Sequence, residues 1–299
     1  MNFEALFTRI DSHERRQDGQ PRLMQFSYGE DAHWIYDSKS EVRVFSRMEA
    51  VQAHYARLQM SGESMWDDSL IAQEAVCLFF RDREELDKGD YALIKSLERS
   101  YRGKGKWPQL RAVYPYCVPW TLKEEHIDLL CAALEAMQTG AAQEVDVSTI
   151  VPMPLPLKSA KLTNEMVPAR FKRLPASDDV WDITVQAFPF PTQSDEENGA
   201  PTCPMMGMVV EENADEVVCL TIETASKPNC TDVLAQEILV EGIKRGNKPR
   251  FVRFASEKAE MALGGVFEAL GIRTELQPEL PQLQEAFLSL MQFSAGEEE

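Results

Sequence analysis

The residues best suited to chemistry lie between Lys95 and Trp120. Lys95, Arg99, Arg102, Lys104, Lys106 and Arg111 face only Glu98, so this segment carries about five net positive charges. Trp107 and Trp120 stand among these cations, with Tyr101, Tyr114 and Tyr116. Cations interleaved with aromatics suit a site for phosphates and stacked bases. Gly103 and Gly105 could bring backbone N–H groups close to an anion. The candidate ligand-binding residues are therefore Arg99, Arg102, Lys104, Lys106, Arg111, Trp107 and Trp120. No Gly-x-x-x-x-Gly-Lys-Ser/Thr motif accompanies them, so this is not a P-loop. A second use of the same residues is structural, with Trp107, Pro108, Pro115, Pro119 and Trp120 fastening an irregular segment to the core and the cations pairing with acids of the chain.

Other chemistries find less support. The six cysteines (77, 117, 131, 203, 219 and 230) contain no Cys-x-x-Cys pair, and the four histidines (13, 33, 54 and 126) have no Cys or His neighbour at i+3 or i+4. No metal and no cofactor is expected from this pattern. Neither Gly-x-Ser-x-Gly nor Gly-x-Gly-x-x-Gly occurs, which argues against a nucleophile elbow and a Rossmann site. Cys77 and Cys219 read as small hydrophobes on buried strands. Reduced thiols, and an opening Met1-Asn2-Phe3-Glu4 unlike a signal peptide, point to the cytoplasm.

Positioning such residues takes a full-sized fold. The chain has 299 residues, with 31 basic and 49 acidic, for a charge of −18, and 44% are hydrophobic. One large or two mid-sized domains are expected, and disorder as the main state is excluded by the aromatic and aliphatic content. No apolar run reaches the roughly 20 residues of a membrane span. Residues 1–140 carry 18 basic and 23 acidic residues, and residues 141–299 carry 13 and 26, so the net charges are −5 and −13. Bulk duplex DNA is an unlikely partner for so acidic a chain.

The pattern predicts an N-terminal α+β domain over 1–139. Phe3, Leu6, Phe7 and Ile10 mark a helix from Asn2 to about Gln17. Leu23–Tyr28 and His33–Tyr36 flank a Gly-Glu-Asp turn and read as a hairpin. Met48, Val51, Tyr55 and Leu58 mark a second helix, and Ala75–Phe80 a central strand. Leu86, Tyr91, Ile94 and Leu97 give a third helix ending near Ser100. Thr121, with Glu124 three residues on, reads as the capping box of a fourth helix that stops at Gly140. Residues 140–177 hold five prolines, which argue against regular helix and for a Pro-rich connector. Over 178–294 the expected order is βββαβαβα, with a polar loop at Gln193–Gly199, an acidic turn at Glu211–Glu216 and a frayed tail over 295–299. Consecutive β-α-β segments require right-handed crossovers and a parallel portion of sheet. The C-terminal domain is therefore expected to be RNase H-like with a mixed sheet. Gly264-Gly265 within its second helix would permit close packing or a crossing with a partner helix.

An RNase H-like order raises two-metal nuclease chemistry, which needs carboxylates at set places. The candidates are Asp182, Glu257 and Glu285. Asp182 falls near the start of its strand, the fourth strand ends Arg253-Phe254-Ala255-Ser256 without an Asp, and Glu257 and Glu285 occupy first helical turns, where the helix dipole favours acids anyway.

Two segments resemble an uncharacterised bacterial two-domain family. Tyr101-Arg102-Gly103-Lys104-Gly105-Lys106-Trp107-Pro108 and Tyr114-Pro115-Tyr116-Cys117-Val118-Pro119-Trp120 are similar to its Arg-Gly-Lys-x-x-Trp-Pro…Pro-Gly-x-x-Pro-Trp signature. Lys248–Arg253, Leu270-Gly271-Ile272 and Glu279–Ala286 are similar to its C-terminal domain. The resemblance covers roughly 70–138 and 178–293, and Tyr116 stands where the family often has glycine. It implies architecture and no activity. Three functions follow as expectations: a non-catalytic binding or scaffold protein, with an unidentified protein partner or self-association; a nucleotide or single-stranded nucleic-acid binder through 99–120; and a divergent two-metal nuclease.

Overall fold

The computed structural model describes residues 2–14, 20–59, 72–153, 155, 157–162, 164–188, 190–192, 199–212, 216–224 and 229–296. These form two compact units, the first ending at Leu155. Both combine helices with a single sheet, so the chain is α+β. The predicted loop at 193–199 and acidic turn at 211–216 fall largely outside the described residues. No described helix is long and apolar enough to cross a membrane.

The first unit is a six-stranded antiparallel sheet in the order β5-β4-β3-β2-β1-β6. Its strands are β1 (Arg22–Tyr28), β2 (Asp31–Asp37), β3 (Glu41–Phe45), β4 (Ala75–Arg81), β5 (Trp107–Val113) and β6 (Gln143–Glu144). The β1–β2 hairpin turns on Gly29, whose φ of +64° suits glycine. β4 is buried along its length because both sheet faces are covered. Val76, Leu78 and Phe80 meet the core that includes α1 (Phe3–Ser12) and α4 (Glu124–Thr139). Ala75, Cys77 and Phe79 meet the core that includes α2 (Met48–Leu58). Alternation with period two thus yields a continuous apolar run.

Several elements depart from the sequence expectation. α1 stops at Ser12 rather than near Gln17. β3 was not anticipated, since Arg43 sits at its middle; there it is 7% exposed and ion-paired with Glu41 at 2.9 Å. Trp107–Val113 is a strand and not an irregular segment: β5 is a sheet edge, where Pro108 costs no ladder bond. The N-cap of α4 is Lys123, two residues past the predicted Thr121. The Lys123 N–H donates to His126 Nδ1 at 3.0 Å, so an imidazole does the capping expected of Thr121 and Glu124. Gly140 ends α4 in the left-handed region, as the sequence suggests.

In the second unit α5 (Met166–Lys172) forms despite Pro168, which occupies the first turn, where its missing N–H has no intrahelical partner to lose. The sheet runs β9-β8-β7-β10-β11, formed by β7 (Val180–Ala187), β8 (Met205–Glu211), β9 (Glu216–Glu223), β10 (Phe251–Phe254) and β11 (Arg273–Leu276). The first three pair antiparallel, whereas β7, β10 and β11 run parallel, so the sheet is mixed. α6 (Cys230–Arg245) and α7 (Glu257–Ala269) supply the crossovers and α8 (Pro281–Gly296) closes the chain. Met206, Met208 and Val210 of β8 pack with Leu283 and Phe287 of α8. On the α6 side, Phe171 packs edge-on to Trp181 at 6.2 Å, and the two rings fill the space where Gly242 has no side chain. Gly264 is buried near Phe254, but no described residue lies within 4 Å of where a Gly265 side chain would start.

Candidate functional site

The basic-aromatic segment starts where α3 (Lys88–Ser96) ends. Glu98 takes a φ of +54°, the Glu98 N–H donates to the Lys95 carbonyl at 3.0 Å, and the Arg99 N–H donates to the Ile94 carbonyl at 3.1 Å. This is a Schellman closure with Glu at the position glycine prefers. Gly103 and Gly105 then turn the chain with φ of +94° and +60°. The Gly105 N–H donates to Asp82 Oδ1 at 2.6 Å, tying the turn to the end of β4. That amide is therefore engaged by the chain's own carboxylate and is not open to an anionic ligand.

Five of the six cations separate into two groups, and the sixth, Lys95, lies over the Tyr91 ring. Arg99 donates to Glu4 at 2.7 Å, to Thr8 at 3.1 Å and to Asp11, and the Tyr101 hydroxyl donates to Asp11 at 2.8 Å. Arg111 donates to Asp90 Oδ1 at 2.6 Å and to Asp87 Oδ2 at 2.7 Å, the two acids that cap α3. Burial raises the Asp90 carboxyl, but hydrogen bonds from Arg111 and Gln109 outweigh it and hold the pKa below the usual carboxylate value. Arg99 and Arg111 therefore fasten α3 and β5 to the rest of the unit. Arg102, Lys104 and Lys106 are exposed, and none forms an ion pair with a described residue.

The rings take a supporting role. Trp107 is half-buried, with Tyr91 at 6.0 Å and Tyr101 at 5.9 Å. Arg83 lies 5.2 Å from the Tyr91 ring and 5.9 Å from that of Trp107, and Lys95 lies 4.8 Å from Tyr91. Trp120 exchanges two 2.8 Å backbone hydrogen bonds with Ala112. It thus belongs to the far end of β5, about 17 Å along the strand from Trp107 by strand rise. Arg102, Lys104 and Lys106 lie within five residues of Trp107 on one turn, and Arg83, which sequence reading missed because it precedes α3, approaches the Trp107 ring. Tyr116 takes a φ of +60° with its side chain 5% exposed, so a tyrosine here adopts backbone suited to glycine.

The three candidate acids do not converge. Asp182 is 1% exposed beneath α8, and Arg253 of β10 donates to both its oxygens, at 2.6 and 2.8 Å. Arg253 also pairs with Glu212 at 2.9 Å. Burial pushes the Asp182 carboxyl above its usual value, and the guanidinium pulls it back only in part. Glu257 begins α7 behind the Ser256 N-cap and Glu285 lies on α8; both are exposed. Among the described residues no three His, Cys, Asp or Glu side chains are grouped to hold a metal ion. All six cysteines are free thiols, and burial raises Cys77 to about 11 and Cys219 to about 12, which keeps both protonated.

Fold and surroundings define a two-domain α+β protein. Residues 42–150 match the family described as Domain of unknown function (DUF7309), and residues 168–291 match Domain of unknown function (DUF6930). The two matches support a two-domain protein of unknown function. The first begins at β3, so α1, β1 and β2 lie outside it. A search of the curated proteins returns no match.

Proposed function

We propose that this chain is a non-catalytic binding protein whose first unit takes an acidic segment of a protein partner at the turn Arg102–Trp107. One observation carries the reading. Of six cations in the segment, Arg99 and Arg111 are neutralised by Glu4, Asp11, Asp87 and Asp90 and Lys95 lies over the Tyr91 ring, whereas Arg102, Lys104 and Lys106 are exposed with no carboxylate partner among the described residues. The rings of Tyr91, Tyr101 and Trp107 brace one another and Arg83, which favours charge recognition over base stacking.

The second unit fits this account as an RNase H-like domain without catalysis. The order β9-β8-β7-β10-β11, with β10 and β11 parallel to β7, supports that fold. Arg253 stands in the place a metal ion would need beside Asp182, which argues against the nuclease reading. A bacterial, cytoplasmic setting accords with the family resemblance and with six free thiols.

The test uses the full chain, a fluorescent glutamate-rich peptide and an oligothymidylate of equal charge, followed by anisotropy at low and moderate salt. The peptide should bind saturably, weaken with salt, and lose at least tenfold in affinity in Arg102→Ala/Lys104→Ala/Lys106→Ala. Tighter binding of the oligothymidylate would favour the single-stranded nucleic-acid reading instead. Absence of binding to either probe, or equal binding by the triple variant, would overturn the assignment.

A further inference from the structure

A second feature of the first unit lies at the end of the sheet opposite Trp107. There the first turns of α4 close over the ends of β1, β3 and β5 and leave a cavity of about 320 Å³. That volume lies in the range of small-molecule sites. Its polar lining is Tyr28, His33, Tyr114 and His126, with Glu74 and Glu125, and Val44, Val76 and Leu129 supply an apolar floor.

The charges on this lining are spent or outward. Arg47 donates to Glu74 through Nε at 2.8 Å, and the Glu125 side chain is 74% exposed. Among the described residues no lysine or arginine lines the cavity, so an anionic head group would find no counter-charge there. What the walls offer is neutral hydrogen bonding with a fixed sense. His126 Nδ1 accepts from the Lys123 N–H, so the neutral ring carries its proton on Nε2, 3.4 Å from the Tyr114 hydroxyl. His33 Nδ1 lies 3.4 Å from the Asp31 carbonyl, which can only accept, so Nδ1 carries a proton and in the neutral tautomer Nε2 is an acceptor. The Tyr114 oxygen therefore takes the His126 proton and the Tyr114 hydroxyl presents a donor, while a neutral His33 presents an acceptor. Tyr28 and Tyr114 add ring surface beside them: Tyr28 meets His33 edge-on at 5.9 Å, and Tyr114 meets His126 at 6.0 Å. An apolar floor, aromatic walls and a donor–acceptor pair without net charge match the edge and faces of a flat heterocycle.

We propose that this cavity binds one uncharged, planar heteroaromatic molecule of nucleobase size, read by His33, Tyr114 and His126. The assignment does not depend on the turn at Arg102–Trp107 or on what binds there.

The full chain is titrated with nicotinamide and adenosine by calorimetry and saturation-transfer NMR, with nicotinate as a probe of similar shape and opposite charge status. At least one neutral probe should bind with a Kd of about 1 mM or tighter, the range for ligands of this size. Nicotinate should bind at least tenfold more weakly than nicotinamide. Ser46→Phe introduces a ring at the exposed rim and should abolish binding without touching the core. Tyr114→Phe keeps the ring, removes the hydroxyl and should weaken binding about fivefold. No saturable binding of either neutral probe would overturn the proposal. So would binding that survives both variants, or nicotinate binding as well as nicotinamide. Loss in Ser46→Phe with full retention in Tyr114→Phe would overturn the role given to the Tyr114–His126 pair.

Discussion

Replacing Asp182 by alanine separates a structural carboxylate from a catalytic one. Asp182 is 1% exposed and both its oxygens are engaged by Arg253, whose own side chain is 14% exposed. Breaking a buried pair typically costs about 3–5 kcal/mol, because the surviving charge is left uncompensated. Here Arg253 keeps Glu212 at 2.9 Å, but that carboxylate is 41% exposed and its attraction is screened. The expected loss is therefore at the lower end, about 3 kcal/mol, and it belongs to the second unit. Hydrogen exchange followed by mass spectrometry reads it on peptides covering β7 and β10, where such a loss speeds exchange by about 150-fold. Glu212→Ala should cost under about 1 kcal/mol. Asp182→Leu combined with Arg253→Leu should recover most of the loss, because no buried charge remains. An exchange rate raised less than about tenfold in Asp182→Ala would refute the reasoning and restore the carboxylate as a group held in reserve for a ligand.

Three further outcomes follow from single residues. Gly242→Ala gains about 1 kcal/mol in helix propensity, but the new methyl meets Trp181 at 2.9 Å and overlaps Phe171, so calorimetry should show a net loss of about 1–2 kcal/mol. Glu98→Gly relieves a positive φ at the close of α3 and should stabilise the first unit by about 0.5–1 kcal/mol in urea unfolding; no gain would contradict the Schellman geometry. His54 is 0% exposed, and burial, then Arg43 and Arg57, push its pKa down to about 2. A lowered histidine stabilises the fold above its unfolded pKa of about 6.5 and withdraws that stability as pH falls, by about 1.4 kcal/mol per unit. The first unit should lose about 2.3 kcal/mol between about pH 6.5 and 4.5, and His54→Phe should flatten most of that slope.

Local chemistry made much of the fold legible. Ala75–Phe80, the Gly29 turn, the left-handed caps at Gly140 and Gly246 and the alternation of β7 through β11 with α6 and α7 all follow from patterns a few residues long. β3 and β5 were hidden for opposite reasons. Arg43 looks like a solvent residue until Glu41 and the aromatic side of the sheet are placed around it. Pro108 looks like a breaker until β5 is known to be an edge. The candidate site divides along the same line. The exposure of Arg102, Lys104 and Lys106 follows from a Gly-rich turn, whereas the pairing of Arg99 with Glu4 and Asp11 spans about ninety residues and no local spacing announces it. The same distance effect hid the Asp182–Arg253 clamp, whose partners meet only because β7 and β10 pair in parallel register.

The central claim is that the first unit binds an acidic partner through the turn Arg102–Trp107. Fluorine NMR of the full chain with 5-fluorotryptophan at its five tryptophans tests it most directly, the Trp107 signal being assigned by Trp107→Phe. Adding the glutamate-rich peptide at low salt should shift the Trp107 resonance saturably and leave Trp181 unmoved, and the shift should vanish in the Arg102/Lys104/Lys106 triple alanine variant. A Trp107 signal that stays fixed while the peptide binds, or one that moves equally in the triple variant, would contradict the account.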